Sequence, residues 1–88
     1  MIEEISTILY DEEEGLMLKI RNGEEITEEV KDKIRQFSKE VNKHLKENKV
    51  ETREVAICTD MIFTFMLYPE MKNFGVEIYQ NINEGIDY

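Results

Sequence analysis

The chain holds one histidine, His44, and one cysteine, Cys58, among its 88 residues. A nucleophilic cysteine needs a base beside it and an electropositive, accessible setting. A helix carrying His44 and a strand carrying Cys58 could bring the two together, but nothing in their spacing asks for it. Flanked by Ile57 and Thr59, Cys58 reads as a small buried hydrophobe. Zinc needs three or four converging His, Cys or carboxylate ligands, and one His and one Cys with no spacing signature do not supply them. His44, next to Leu45 and one turn after Glu40, reads as a boundary residue packed through its ring. No metal or cofactor is expected.

Carboxylates are the abundant chemistry, and with 20 of them no acid–base pair can be picked out by spacing. The conspicuous run is Asp11-Glu12-Glu13-Glu14. It lacks the alternating ligands, central glycine and distant glutamate of a calcium loop. It reads as a solvated loop tip whose like charges resist aggregation, or as a surface for a partner. Glu24 and Glu25 join it as candidate partner-binding residues. The four glycines, at 15, 23, 75 and 85, are dispersed turn residues rather than a phosphate-binding loop. The basic stretch from Lys31 to Lys49 is punctuated by acids and reads as the solvated back of a helix.

Composition narrows the classes further. Eleven basic residues face 20 acidic ones, a net charge of −9, with 41 % hydrophobic and 35 % charged residues. That is too apolar for a disordered tail. No apolar run is longer than Phe65 to Tyr68, which is far short of a membrane span. A phosphate backbone would be repelled, so no nucleic-acid partner is expected. The first residues, Met-Ile-Glu-Glu, have neither the basic start nor the apolar stretch of a secretory signal. With a lone cysteine, this points to the cytoplasm.

These side chains need elements to hold them. Residues 1–30 carry a net −8, residues 31–54 a net +3 and residues 55–88 a net −4. The firmest element is a helix from Thr27 to Asn48. Ile26, Val30, Ile34, Phe37, Val41 and Leu45 form one stripe of a 3.6-residue period. Thr27 is the N-cap. Glu28 and Glu29 complement the positive end of the dipole, and Lys43, Lys46 and Lys49 the negative end. The reversal of charge along the chain thus has a structural reason.

Strands are expected elsewhere. Leu16, Leu18 and Ile20 alternate with Met17, Lys19 and Arg21, and Ile5 to Tyr10 is rich in β-branched and aromatic residues. Asp11–Gly15 then reads as a hairpin loop, with Gly15 at positive φ. Val55 and Ile57 alternate with Ala56 and Cys58, and Phe74, Val76 and Ile78 with Gly75, Glu77 and Tyr79. Residues 53–68 read as two strands or one bulged strand, with a short helix capped by Thr59 or Asp60 as the alternative. The expectation is a single α+β domain, residues 1–88. It is a mainly antiparallel β-β-α-β-β-β sheet with one long helix on one face.

One helix covers about half of one face of such a sheet. Met17, Ile62, Met66, Tyr68 and Tyr79 fall on the opposite parity and form an apolar interface for a homodimer or other partner. The alternative cover is a C-terminal segment carrying Ile82, Ile86 and Tyr88. The functional expectation is an interaction protein of the inhibitor, antitoxin, immunity or mimic type. It acts on a basic protein surface by electrostatic steering and performs no catalysis. The second reading is a small enzyme or ligand-binding domain with its site at a subunit interface. That site would draw on Cys58, His44 and Tyr79, with a pocket lined by Phe63, Phe65, Met66 and Tyr68.

Overall fold

The computed structural model describes residues 1–86 and has no strand among them. Its α-helices are α1 Ile2–Tyr10, α2 Leu16–Arg21, α3 Glu28–Lys46, α4 Thr52–Leu67 and α5 Lys72–Asn83. A 3-10 turn, Pro69–Met71, joins the last two. The expected α+β fold is overturned: the antiparallel sheet is absent, and the described chain is a small helical domain.

α3 is the helix that the periodicity expects, one or two residues shorter at each end. Ile34, Phe37 and Val41 are buried, with Ile26, Val30 and Leu45 packed at the margin of the core. The Thr27 hydroxyl accepts the Val30 N–H at 3.3 Å, satisfying an orphan donor of the first turn.

Each expected strand is a helix for a reason visible in its burial pattern. In α1, Ile5 and Leu9 are fully buried and Ile2 and Ile8 pack beside them, a helical spacing that spoils alternation. In α2, the neighbours Leu16 and Met17 are buried together with Ile20, while Leu18 faces solvent. A half-buried strand cannot hide two consecutive side chains. In α4, Ile57, Cys58, Met61 and Phe65 are buried. In α5, Phe74, Ile78 and Ile82 recur every four residues, and Val76, expected inside, is exposed. The β-branched and aromatic residues that favour strands locally are overridden by burial of these stripes against one another.

Side-chain pairs give the helix directions. Glu3 pairs with Arg53 and Tyr10 with Asp60, so α1 and α4 run parallel. Lys33 approaches Glu4 on α1, while Phe37 and His44 lie near Met1 and Ile2 and Val30 lies near Ile8, so α3 runs against α1. Arg35 binds Glu77, Asn81 donates to Ser38, and Asn42 donates to the Ile82 carbonyl, so α3 and α5 run parallel. The result is a bundle of α1, α3, α4 and α5 in which α5 packs between α3 and α4 and α1 closes the other side, with the short α2 laid against α1.

Two glycines permit close approaches. Gly15, at φ −63°, does not use the positive φ expected of it. It is the N-cap of α2, where a Cβ would stand 2.5 Å from the Asp11 carbonyl oxygen. Gly75 lets α5 approach α4, where a Cβ would stand 3.0 Å from that of Phe65. The Phe65 and Phe74 rings meet there at 5.5 Å. Arg35 closes the α3–α5 seam, donating to Glu77 at 2.6 Å and Asp32 at 2.7 Å while lying over the Phe74 ring.

Candidate functional site

The acidic run does not sit on a hairpin tip; it is the turn between α1 and α2. The Asp11 Oδ1 accepts the backbone N–H groups of Glu13 at 2.8 Å and Glu14 at 3.1 Å. These donors hold its carboxyl below the usual carboxylate range. Asp11 therefore shapes the turn. Glu12, Glu13 and Glu14 are exposed and make no side-chain hydrogen bond or ion pair in the described structure.

The packing of α2 on α1, beside the start of α3, leaves an open groove of about 280 Å³. Its apolar lining is Ile8, Leu16, Ile26 and Val30, and its rim carries Asp11, Glu14, Glu25 and Lys19. Three carboxylates against one ammonium give the rim a net charge of −2. The structure thus joins two acidic segments whose relative placement the sequence left open, the 11–14 run and the 24–25 pair. It also divides them. Glu12 lies along a different depression, with Tyr10, Arg21 and Asp60. Glu24 lies nearer Tyr68 and Glu70.

The proposed apolar interface residues are likewise separated. Met17 is 8 % exposed and belongs to the core. Ile62 and Tyr68 are half-buried, and Met66 and Tyr79 are exposed on α4 and α5. Phe63 and Leu67, outside that set, are also exposed on α4. Ile82 is buried, and the Ile82 and Glu84 carbonyls accept from Asn42 on α3. Tyr88 lies outside the described residues.

The catalytic candidates do not form a nucleophile–base pair. His44 Nδ1 lies 2.7 Å from Glu54 Oε2. Glu54 is 4 % exposed, and its other oxygen accepts the Glu51 N–H at 2.9 Å in a reciprocal cap of α4. Burial, and then the Glu54 charge, push the Cys58 thiol up to about 12, so it stays protonated at neutral pH. Phe65 is fully buried while Phe63 is exposed, so they face opposite ways on α4 and do not line a common pocket. Among the described residues no group of three His, Cys, Asp or Glu side chains is placed to hold a metal ion. No helix is long and apolar enough to cross a membrane.

The Glu51–Glu54 cap is the functional-looking feature that the sequence reading missed. Its signal is Glu51-Thr52-Arg53-Glu54, acids three apart ahead of an apolar run. Fold and site together define an acidic helical bundle with a carboxylate-rimmed groove. A scan against protein-family models, a search of curated proteins and a search of solved structures each found no match.

Proposed function

We propose that the chain is a small acidic interaction domain whose α1–α2–α3 groove receives a basic segment of a protein partner, with no reaction performed. The observation that carries this reading is the meeting of Glu14 and Glu25 on the rim of an apolar floor. A lysine or arginine side chain has the matching form. Its aliphatic stem packs on Ile8, Leu16, Ile26 and Val30 while its charged head meets the carboxylates. The excess of acid over the first 30 residues adds steering, speeding encounter with a positive surface. Such a protein works by occupying a basic surface, as an inhibitor, antitoxin, immunity protein or mimic does, and the cytoplasm is the compartment consistent with it.

The test is titration of the isotope-labelled protein with a lysine- and arginine-rich amphipathic peptide, followed by amide chemical shifts. Shifts confined to Ile8, Leu16, Lys19 and Ile26, abolished by Glu14→Lys with Glu25→Lys and weakened by salt, support the groove. Shifts spread evenly over the acidic surface, or unaltered by the double substitution, overturn it.

A further inference from the structure

The outward face of α4 and α5 is the largest feature that the groove leaves unexplained. Val55, Thr59, Ile62 and Met66 follow one another at spacings of 4, 3 and 4. That is the seam a helix presents to another helix, here on the solvent side of the core stripe. Met66 borders α5, its Sδ lying 3.5 Å from where a Gly75 Cβ would be. One turn beyond Gly75, Tyr79 carries the apolar surface across onto α5.

The charged residues of both helices are drawn away from this face. Arg53 binds Glu3, Glu54 binds His44, Asp60 binds Tyr10 and Glu77 binds Arg35. Of the charged side chains on α4 and α5, this leaves Lys72 alone. A basic partner therefore finds on these two helices only carboxylates that other side chains already hold.

The area decides the occupant. Leu67 is 77 % exposed, Phe63 69 %, Tyr79 53 %, Val55 47 % and Met66 43 %. At roughly 150–250 Å² for each large side chain, these five leave on the order of 500 Å² of exposed apolar surface. That is near the upper end for a monomer, and with a polar rim it approaches the roughly 800 Å² per partner of a stable interface.

We infer that this face binds a second copy of the chain, α4 against α4 across a two-fold axis. A two-fold interface pairs a patch with itself, so it needs self-complementary surface, and an apolar, nearly uncharged seam meets that condition. Two copies of net charge −9 repel one another overall, and apposing their acidic turns would add to that repulsion. The dimer consequently tightens as salt rises, because screening weakens the repulsion while leaving the apolar contact in place. The groove responds in the opposite sense, which keeps the two proposals separable.

The experiment is sedimentation equilibrium of the full chain up to about 300 µM, at about 0.05 M and 0.5 M salt. The expected result is a monomer–dimer equilibrium whose dissociation constant falls at the higher salt. Phe63→Glu should raise that constant by at least about 30-fold with an unchanged helical circular-dichroism signal, while Leu18→Glu, on α2, should not move it. Should Phe63→Glu fail to fold, Val55→Glu, on the seam beside it, reads the same exposed face. Glu14→Lys with Glu25→Lys should leave the dimer in place while removing peptide binding. A wild type that stays monomeric at the highest concentration in both salts overturns the inference, as does a dimer indifferent to folded Phe63→Glu and Val55→Glu variants.

Discussion

The α1–α2–α3 groove and the α4–α5 face are cut from the same bundle and carry opposite chemistry. Over the α1–α2–α3 part of the molecule the chain puts acids in turns and first helical turns, namely Asp11–Glu14, Glu24, Glu25, Glu28 and Glu29, of which Asp11, Glu14 and Glu25 reach the groove. Those are the places where unpaired backbone N–H groups and the positive ends of helices favour carboxylates. Along α4 and α5 the connection is a three-residue 3-10 turn, and it holds one acid, Glu70. Apart from Lys72, the charges within these two helices go to inter-helix pairs, so the outer seam is left apolar. Charge location thus follows from where the chain turns, and the two surfaces acquire opposite salt responses without any dedicated motif.

Both surfaces rest on one core, and removing a piece of it is the largest way to break the comparison. Phe37 and Ile34 are buried at its centre on α3. Truncating either to Ala should cost about 2–5 kcal/mol, through lost transfer energy and the cavity left behind. Chemical denaturation followed by circular dichroism should show the whole domain losing stability in one transition. A midpoint that does not move would mean that α3 does not present this face to the bundle.

Glu54 comes next. It joins the two regions, capping α4 through the Glu51 N–H and holding His44 of α3. Glu54→Ala removes both partners and should cost about 1–3 kcal/mol, because a cap is lost and a buried donor is left unpaired. Denaturation midpoints of Glu54→Ala and Glu54→Gln check it, and the glutamine should recover part of the loss by accepting the Glu51 N–H.

Alkali tests the α4 side when the wild type is compared with Cys58→Ala. Burial and Glu54 raise the Cys58 thiol to about 12, against about 8.5 in an unfolded chain. Between these values the unfolded state has released the proton and the folded state has kept it. Stability is therefore full below about pH 8.5 and is lost as pH rises toward 12. Tyr10, raised by desolvation and by Asp60, titrates in the same direction, so the readout is a difference. The stability of the wild type should fall more steeply with pH than that of Cys58→Ala. Parallel slopes would place the thiol in water.

What the sequence made legible is uneven for a physical reason. α3 is long, so its stripe from Ile26 to Leu45 samples five helical turns and its cap is a threonine with an obvious acceptor. α1 and α2 are nine and six residues long. Over so short a span Leu16, Leu18 and Ile20 satisfy alternation, and only the burial of Met17 with Leu16 reveals the helix. In α5, Phe74 and Ile78 belong to both the two-residue and the four-residue pattern, and Val76 alone separates them. The acids of the candidate site were legible as residues. Their grouping was not, because which of them shares a groove depends on where α2 packs. The α4 seam was half legible: Ile62 and Met66 were assigned to the outer side, whereas Phe63 moved there only when strand parity gave way to helical spacing.

The smallest effect on stability, and the finest test of the groove, comes from dividing the acidic turn. Asp11 orders the turn through two backbone donors, while Glu12 and Glu14 are exposed and make no such contacts. Reversing Glu12 or Glu14 to Lys should leave stability within about 0.5 kcal/mol of wild type, because exposed charges contribute little. Their effects on binding should differ. Both remove an acid from the same turn, so both reduce long-range attraction of a basic partner to a similar extent. Only Glu14 borders the groove; Glu12 lies toward Tyr10 and Asp60. With the basic amphipathic peptide as ligand, stopped-flow association rates across a salt series should show similar slowing for the two variants. The dissociation rate should rise for Glu14→Lys and stay near wild type for Glu12→Lys, because a lost contact acts on the bound state whereas lost steering acts on encounter. Equal dissociation rates would show that the turn attracts the ligand without touching it, and would move the contact site off the groove rim.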